Sequence, residues 1–183
     1  MRVLTQLIVC LGLAVLVCGP TGALTGEVSG LTQAGLIALR DGKLTLAEQK
    51  LKKASKLAKV SGPLYADYAE TLLNLGKLYD RKKNVELSEA KYNEALSIYK
   101  KAYGPKALQV ARAYHGLGEL YRHQKNYVKS IPFYNKALKI RRVSAQGHTD
   151  LASTANGLAK TFLAMKRYEE AQPLLKEVVS IQE

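Results

Sequence analysis

Leu117-Gly118-x-x-Tyr121 is the pattern that most limits what this chain can become, because it does not occur alone. Forty-two residues earlier stands Leu75-Gly76-x-x-Tyr79, and 41 residues later Leu158-Ala159-x-x-Phe162. A further 41 residues before Gly76 stands Ala34-Gly35-x-x-Ala38. A second motif follows each copy at the same offsets. It reads Ala47, Leu51, Ala54, then Ser88, Tyr92, Ala95, then Ser130, Tyr134, Ala137, and last Ala171, Leu175, Val178. The paired motifs are separated by Asp41-Gly42-Lys43, Lys82-Lys83-Asn84, Gln124-Lys125-Asn126 and Lys166-Arg167. Apolar residues three and four apart give each motif one helical stripe, as in Tyr127, Ser130, Ile131, Tyr134, Ala137, Leu138 and Arg141. A small residue beside a bulky one lets two such stripes approach closely. Each copy therefore reads as helix–turn–helix. A lone helix pair cannot bury its stripe, so the copies must stack on one another.

These residues resemble the tetratricopeptide repeat. Leu117-Gly118, Tyr121, Tyr134 and Ala137 match its small residue, its aromatic one turn later and its second-helix pattern, with Ser130 in place of the usual first Ala. A period of 41–42 exceeds the common 34 and is similar to the longer variety of kinesin light chains and many bacterial proteins. Gly62-Pro63, Gly104-Pro105 and Gly147-His148 occupy the linkers, and Pro132 and Pro173 fall early in second helices. Proline is expected there in the first turn, where backbone amides have no helical partner. The resemblance implies an all-α fold, a right-handed α-solenoid of four helix–turn–helix repeats with about eight antiparallel helices. The repeats fall at about 28–62, 69–104, 111–146 and 152–183, within a domain of residues 31–183.

The N-terminus has a different character. Met1-Arg2 precedes an apolar run from Leu7 to Cys18, Gly19-Pro20 breaks it, and Thr21-Gly22-Ala23 offers small residues where a signal peptidase reads. The run is too short to span a bilayer, which takes about 20 residues. Residues 1–23 are expected to be a cleaved signal peptide and 24–30 a linker, placing the protein in the periplasm or outside the cell. An uncleaved anchor is the alternative. A lipoprotein is disfavoured because Val17 is bulky before Cys18. Cleavage would remove both cysteines and one Arg, leaving 27 basic and 15 acidic residues, a net charge of +12.

Six Lys and one Glu lie between Lys43 and Lys59, and four Lys, two Arg and no acid between Gln124 and Val143. Such stretches solvate a helix face, or meet an anionic polymer or lipid headgroups. Signs of catalysis are absent from the sequence. Gly116-x-Gly118 lies in a helix and lacks the third glycine of a dinucleotide site, and no phosphate loop occurs. His115 and His123 are about 12 Å apart along one helix, too far to share a metal. Neither an enzyme, a metal nor a cofactor is expected.

Stacked helix pairs of this family form a concave groove lined by first helices. By register the candidate lining is Asn74, Lys77 and Arg81, then Arg112, His115, Glu119 and Arg122, then Asn156 and Lys160. An Asn amide can both donate to and accept from a peptide backbone. Arg112, His115 and Arg122 form a set suited to an acidic residue or a C-terminal carboxylate. The chaperone-tail clamp of the family is not matched, since Thr32 and Leu36 stand where it would begin. The expected partner is a protein or peptide, and the expected role is an exported scaffold. Alternatives are a basic binder of anionic polymer or lipid headgroups, or a subunit of a homo-oligomeric assembly. Nucleic acid is not favoured, because the Tyr residues near the lysines are committed to packing. Leu174, Leu175, Val178, Val179 and Ile181 carry more apolar surface than one neighbouring repeat covers. A partner, further sequence or self-association through the C-terminal helix is expected over it.

Overall fold

A computed structural model describes residues 21–60, 66–144 and 148–182. They form α1 (Thr21–Arg40), α2 (Leu44–Val60), α3 (Ala66–Arg81), α4 (Val85–Tyr103), α5 (Leu108–His123), α6 (Tyr127–Arg142), α7 (His148–Ala164) and α8 (Tyr168–Gln182). No strand occurs among the described residues, and the all-α repeat architecture is as expected. The segment 1–20 and the linker residues Gly62-Pro63 and Gly147 lie outside the described residues. Residues 24–30 are helical, not a linker: Val28 is buried, and Glu27 reaches Lys53 at 3.2 Å. Leu24, Val28, Leu31, Gly35 and Ala38 extend one stripe, which outweighs the two glycines that argued for a break.

Compact packing divides the chain within α3, into Met1–Thr71 and Leu72–Glu183. In the first unit α1 and α2 form a hairpin closed by Ala47, Leu51, Ala54 and Ala58. A Cβ at Gly35 would lie 2.7 Å from Leu51 Cγ, so glycine is what admits the leucine.

In the second unit α5 pairs with α6 and α7 with α8, while α4 lies on α5 and α6 on α7. The junctions reuse one device. Tyr92 fills a socket between Gly76 of its own repeat and Gly116 of the next, and Tyr134 does the same between Gly118 and Gly157. A Cβ at Gly118 or Gly157 would come within 2.9 or 2.8 Å of the Tyr134 ring. The first glycine of each pair belongs to the repeat pattern, whereas the second was legible only as an unexplained glycine. Ser88 and Ser130 act beyond mere smallness. Their hydroxyls donate to the carbonyls of Gly76 and Gly118, each at 2.8 Å, tying second helix to first.

The hairpin turns share one geometry. Gly42, Lys83, Lys125 and Lys166 sit at φ 76, 59, 57 and 59°, in the left-handed region. At each, the next amide reaches back five residues, as Asn126 N–H does to the Tyr121 carbonyl at 2.9 Å, the hydrogen bond that ends a helix on a left-handed residue. Asn84 and Asn126 then cap the following helix, their Oδ1 accepting from Leu87 N–H at 3.0 Å and Lys129 N–H at 3.2 Å.

The proline expectation needs correcting. Pro132 and Pro173 are the sixth residues of α6 and α8, past the first turn, whose amides have no helical partner. Each forgoes one helical hydrogen bond. Both helices continue through them; the prolines are exposed, and so is Val128, four residues before Pro132.

Candidate partner-binding groove

The first helices α5 and α7 touch directly, and α3 stands in the same register before them. The repeat offsets sort the candidate residues into rows. Lys77, Glu119 and Lys160 share one row, His115 and Asn156 another, and Asp80 and Arg122 a third. Lys77, Arg81 and Lys160 are exposed, and Arg112, His115, Glu119, Arg122 and Asn156 are partly buried. Asn74 departs from the rest. It shares its row with Gly116 and Gly157, is 1% exposed, and its Nδ2 has no hydrogen-bond partner among the described residues. It occupies the packing side of α3, so it does not line the open face.

Glu119 is the centre of a network that the sequence did not reveal. Arg122 Nη2 donates to its Oε2 at 2.5 Å, the Tyr134 hydroxyl donates to its Oε1, and His123 Nε2 lies 3.3 Å from Oε2. His123 Nδ1 reaches Asp80 Oδ2 of the preceding repeat at 2.7 Å. Burial alone would raise the Glu119 carboxyl, but hydrogen bonds from His123, Arg122 and Tyr134 outweigh it and hold it well below the usual carboxylate range. His123 sits between two carboxylates. Its hydrogen bonds to Asp80 and Glu119 raise it to about 9, against the opposing effects of burial and of Arg122, and keep it an imidazolium at neutral pH.

His115 is the opposite case. Its Nδ1 lies 3.2 Å from Thr154 Oγ1 and its ring meets the edge of Tyr134 at 5.8 Å. Burial, then the nearby Arg141 charge, lower it to about 4, so it is neutral at pH 7. The expected cationic set of Arg112, His115 and Arg122 is thereby reduced. His115 carries no charge, and Arg122 is already bound to Glu119.

Arg141 joins the second helix of the third repeat to the start of α7. It is 4% exposed, and its guanidinium donates to the Asp150 carbonyl at 2.7 Å, to Thr154 Oγ1, and to Asp150 Oδ2 at 3.3 Å. Elsewhere Tyr121 stacks on Phe133 at 5.6 Å and donates to Glu89 Oε1 at 2.6 Å. Lys129 lies over the Tyr121 ring, and Lys100 and Lys136 over Tyr114, each 5.4–5.5 Å from the centroid. Among the described residues there is no group of three potential metal-binding side chains, and no helix long and apolar enough to cross a membrane.

The family model for the tetratricopeptide repeat matches residues 27–101, 81–142 and 109–183. No curated protein matches by sequence at a significant level. Among solved structures, BtubC (BKLC) from P. vanneervenii is similar at a TM-score of 0.73 and 21% identity, over 85% of this chain and 63% of that one. The nearly identical TPR-like repeats of a kinesin-light-chain-like protein from Podosopora anserina give 0.71 and 16%, over 85% and 74%. Aspartyl phosphate phosphatase F from Bacillus subtilis gives 0.73 and 17%, over 92% and 43%. At these identities the likeness is one of fold. The chain thus spans less than two thirds of two of these three proteins.

Proposed function

The chain belongs to the tetratricopeptide repeat family, and from that premise we propose that it holds a carboxylate-bearing segment of a protein partner along its first helices. It is a repeat scaffold, and proteins of this family are in general scaffolds and not enzymes. The observation that supports an acidic ligand is the charge on the open rows. Lys77, Arg81, Arg112, Arg122, imidazolium His123 and Lys160 stand against Asp80, Glu119 and, in the row of Arg112, Glu70. Arg122 and His123 are engaged with Glu119 and Asp80, and the surplus that remains is positive, so an incoming carboxylate meets net attraction.

Fluorescence anisotropy with labelled acidic peptides and their amide-substituted counterparts tests this. Lys77→Glu combined with Lys160→Glu is expected to weaken the acidic peptides at least about tenfold, equivalent to ~1.4 kcal/mol. Equal binding by the wild type and the double variant would overturn the reading. A second reading, binding of anionic polymer or lipid headgroups, is favoured by Lys100, Lys129 and Lys136 being held over aromatic rings. Salt separates the two, since contact with many phosphates loses about 10³ or more in affinity between roughly 50 and 200 mM salt. We also propose export, on the pattern of residues 1–23. Terminal sequencing of the protein recovered outside the cytosol should begin at Leu24, and an intact Met1 would overturn it.

A further inference from the structure

Three aromatic rings and three lysines form a continuous patch where α4, α5 and α6 meet. Tyr114 and Tyr121 stand seven residues apart on α5, about 10 Å along the helix at 1.5 Å per residue. Phe133 of α6 joins them, its ring 6.3 Å from that of Tyr114 and stacked at 5.6 Å on that of Tyr121. Each ring carries an ammonium group. Lys100 of α4 and Lys136 of α6 lie 5.4 and 5.5 Å from the Tyr114 centroid, Lys136 lies 5.6 Å from that of Phe133, and Lys129 lies 5.4 Å from that of Tyr121. All three lysines are exposed, and none of their ammonium groups has a carboxylate partner among the described residues. Lys100 and Lys136 share one ring, so their like charges stand at most about 11 Å apart and repel.

Neighbouring acids leave this charge standing. α6 holds no acidic residue, and on α4 Glu94 pairs with Lys91 at 2.9 Å. Glu89 is the carboxylate that touches the patch, accepting from the Tyr121 hydroxyl at 2.6 Å, so three positive charges face one negative. We propose that the patch is the contact site for a linear chain of phosphate groups. This rests on the second reading above and gives it a place on the molecule. Four features select the chain. An ammonium is a point charge suited to phosphate, whereas bidentate grip of a carboxylate falls to arginine, and no arginine belongs to the patch. The rings hold ammonium groups and one another, which leaves nucleic-acid bases no platform on which to stack. They are also buried or half-buried, so they offer a bilayer nothing to insert. Finally, the charges are spread along the patch, and a chain that carries one phosphate after another engages all of them together.

Binding of the full chain to fluorescently labelled inorganic polyphosphate, followed across salt concentrations, tests this. Lys100→Gln with Lys129→Gln and Lys136→Gln is expected to weaken binding at least about tenfold at roughly 100 mM salt, and to flatten the slope of log affinity against log salt by about two. Lys43→Gln with Lys56→Gln and Lys59→Gln removes the same charge from the first hairpin and should cost less than about threefold. Equal losses in the two triple variants overturn the site and leave the second reading in place. A wild type that binds neither polyphosphate nor anionic vesicles removes both. One that binds phosphatidylglycerol vesicles and not polyphosphate overturns the phosphate chain in favour of a membrane.

Discussion

His115 and His123 lie eight residues apart on α5 and give the molecule opposite responses to pH. His123 binds its proton more tightly when folded, with its value raised from 6.5 to about 9. Its contribution is complete below pH 6.5 and is lost as pH rises through 9. The side chain is 45% exposed, so solvent screening leaves about 1 kcal/mol of this. His115 is held neutral, lowered from 6.5 to about 4, so the unfolded chain takes up a proton first and stability falls as pH drops from 6.5 toward 4. Urea unfolding at a series of pH values should therefore peak near pH 6.5. His123→Gln is expected to flatten the alkaline limb and leave the acid limb in place; an unchanged alkaline limb would show that the Asp80–His123–Glu119 contacts do not form in solution.

At the scale of the element, the hairpin turn does most to keep the repeats in register. One residue in the left-handed region ends the first helix, and in the second and third repeats the next residue, Asn84 or Asn126, caps the second. Gly42 fills the left-handed position in the first repeat, whereas Lys83, Lys125 and Lys166 hold it in the others. A non-glycine residue in that conformation costs roughly 1–2 kcal/mol, partly offset because glycine loses more entropy on folding. Lys125→Gly should thus stabilise the protein by about 0.5–1 kcal/mol in thermal or urea unfolding. A loss of stability would mean that the Lys125 side chain makes contacts worth more than the strain. The recurrent polar triplets showed that turns existed, and the glycine in the first of them was the sole sign of their conformation. The prolines show the limit of that legibility. Their distance from the turn was readable, but that both helices run on through them along an exposed face is seen only in the packed structure.

At the scale of the molecule, the groove follows from one fact, that the repeats of the second unit present the same two sides to their neighbours. Binding of an acidic segment belongs here too, because Lys77 and Lys160 come from different repeats and share a row only by register. By itself the sequence determined the helix–turn–helix repeats, their pairing and which of the repeated apolar residues face inward, because the 41–42 residue offset repeats apolar side-chain placement and burial follows placement. Only the tertiary structure decided which candidate groove residues are charged and accessible. Asp80 and His123 are 43 residues apart yet 2.7 Å in contact. Asn74 turns toward the packing side, and His115 is emptied of charge by burial. Register places a residue on a helix face. Its charge depends on solvent exclusion and on neighbours brought from other repeats, and neither exists until the helices stack.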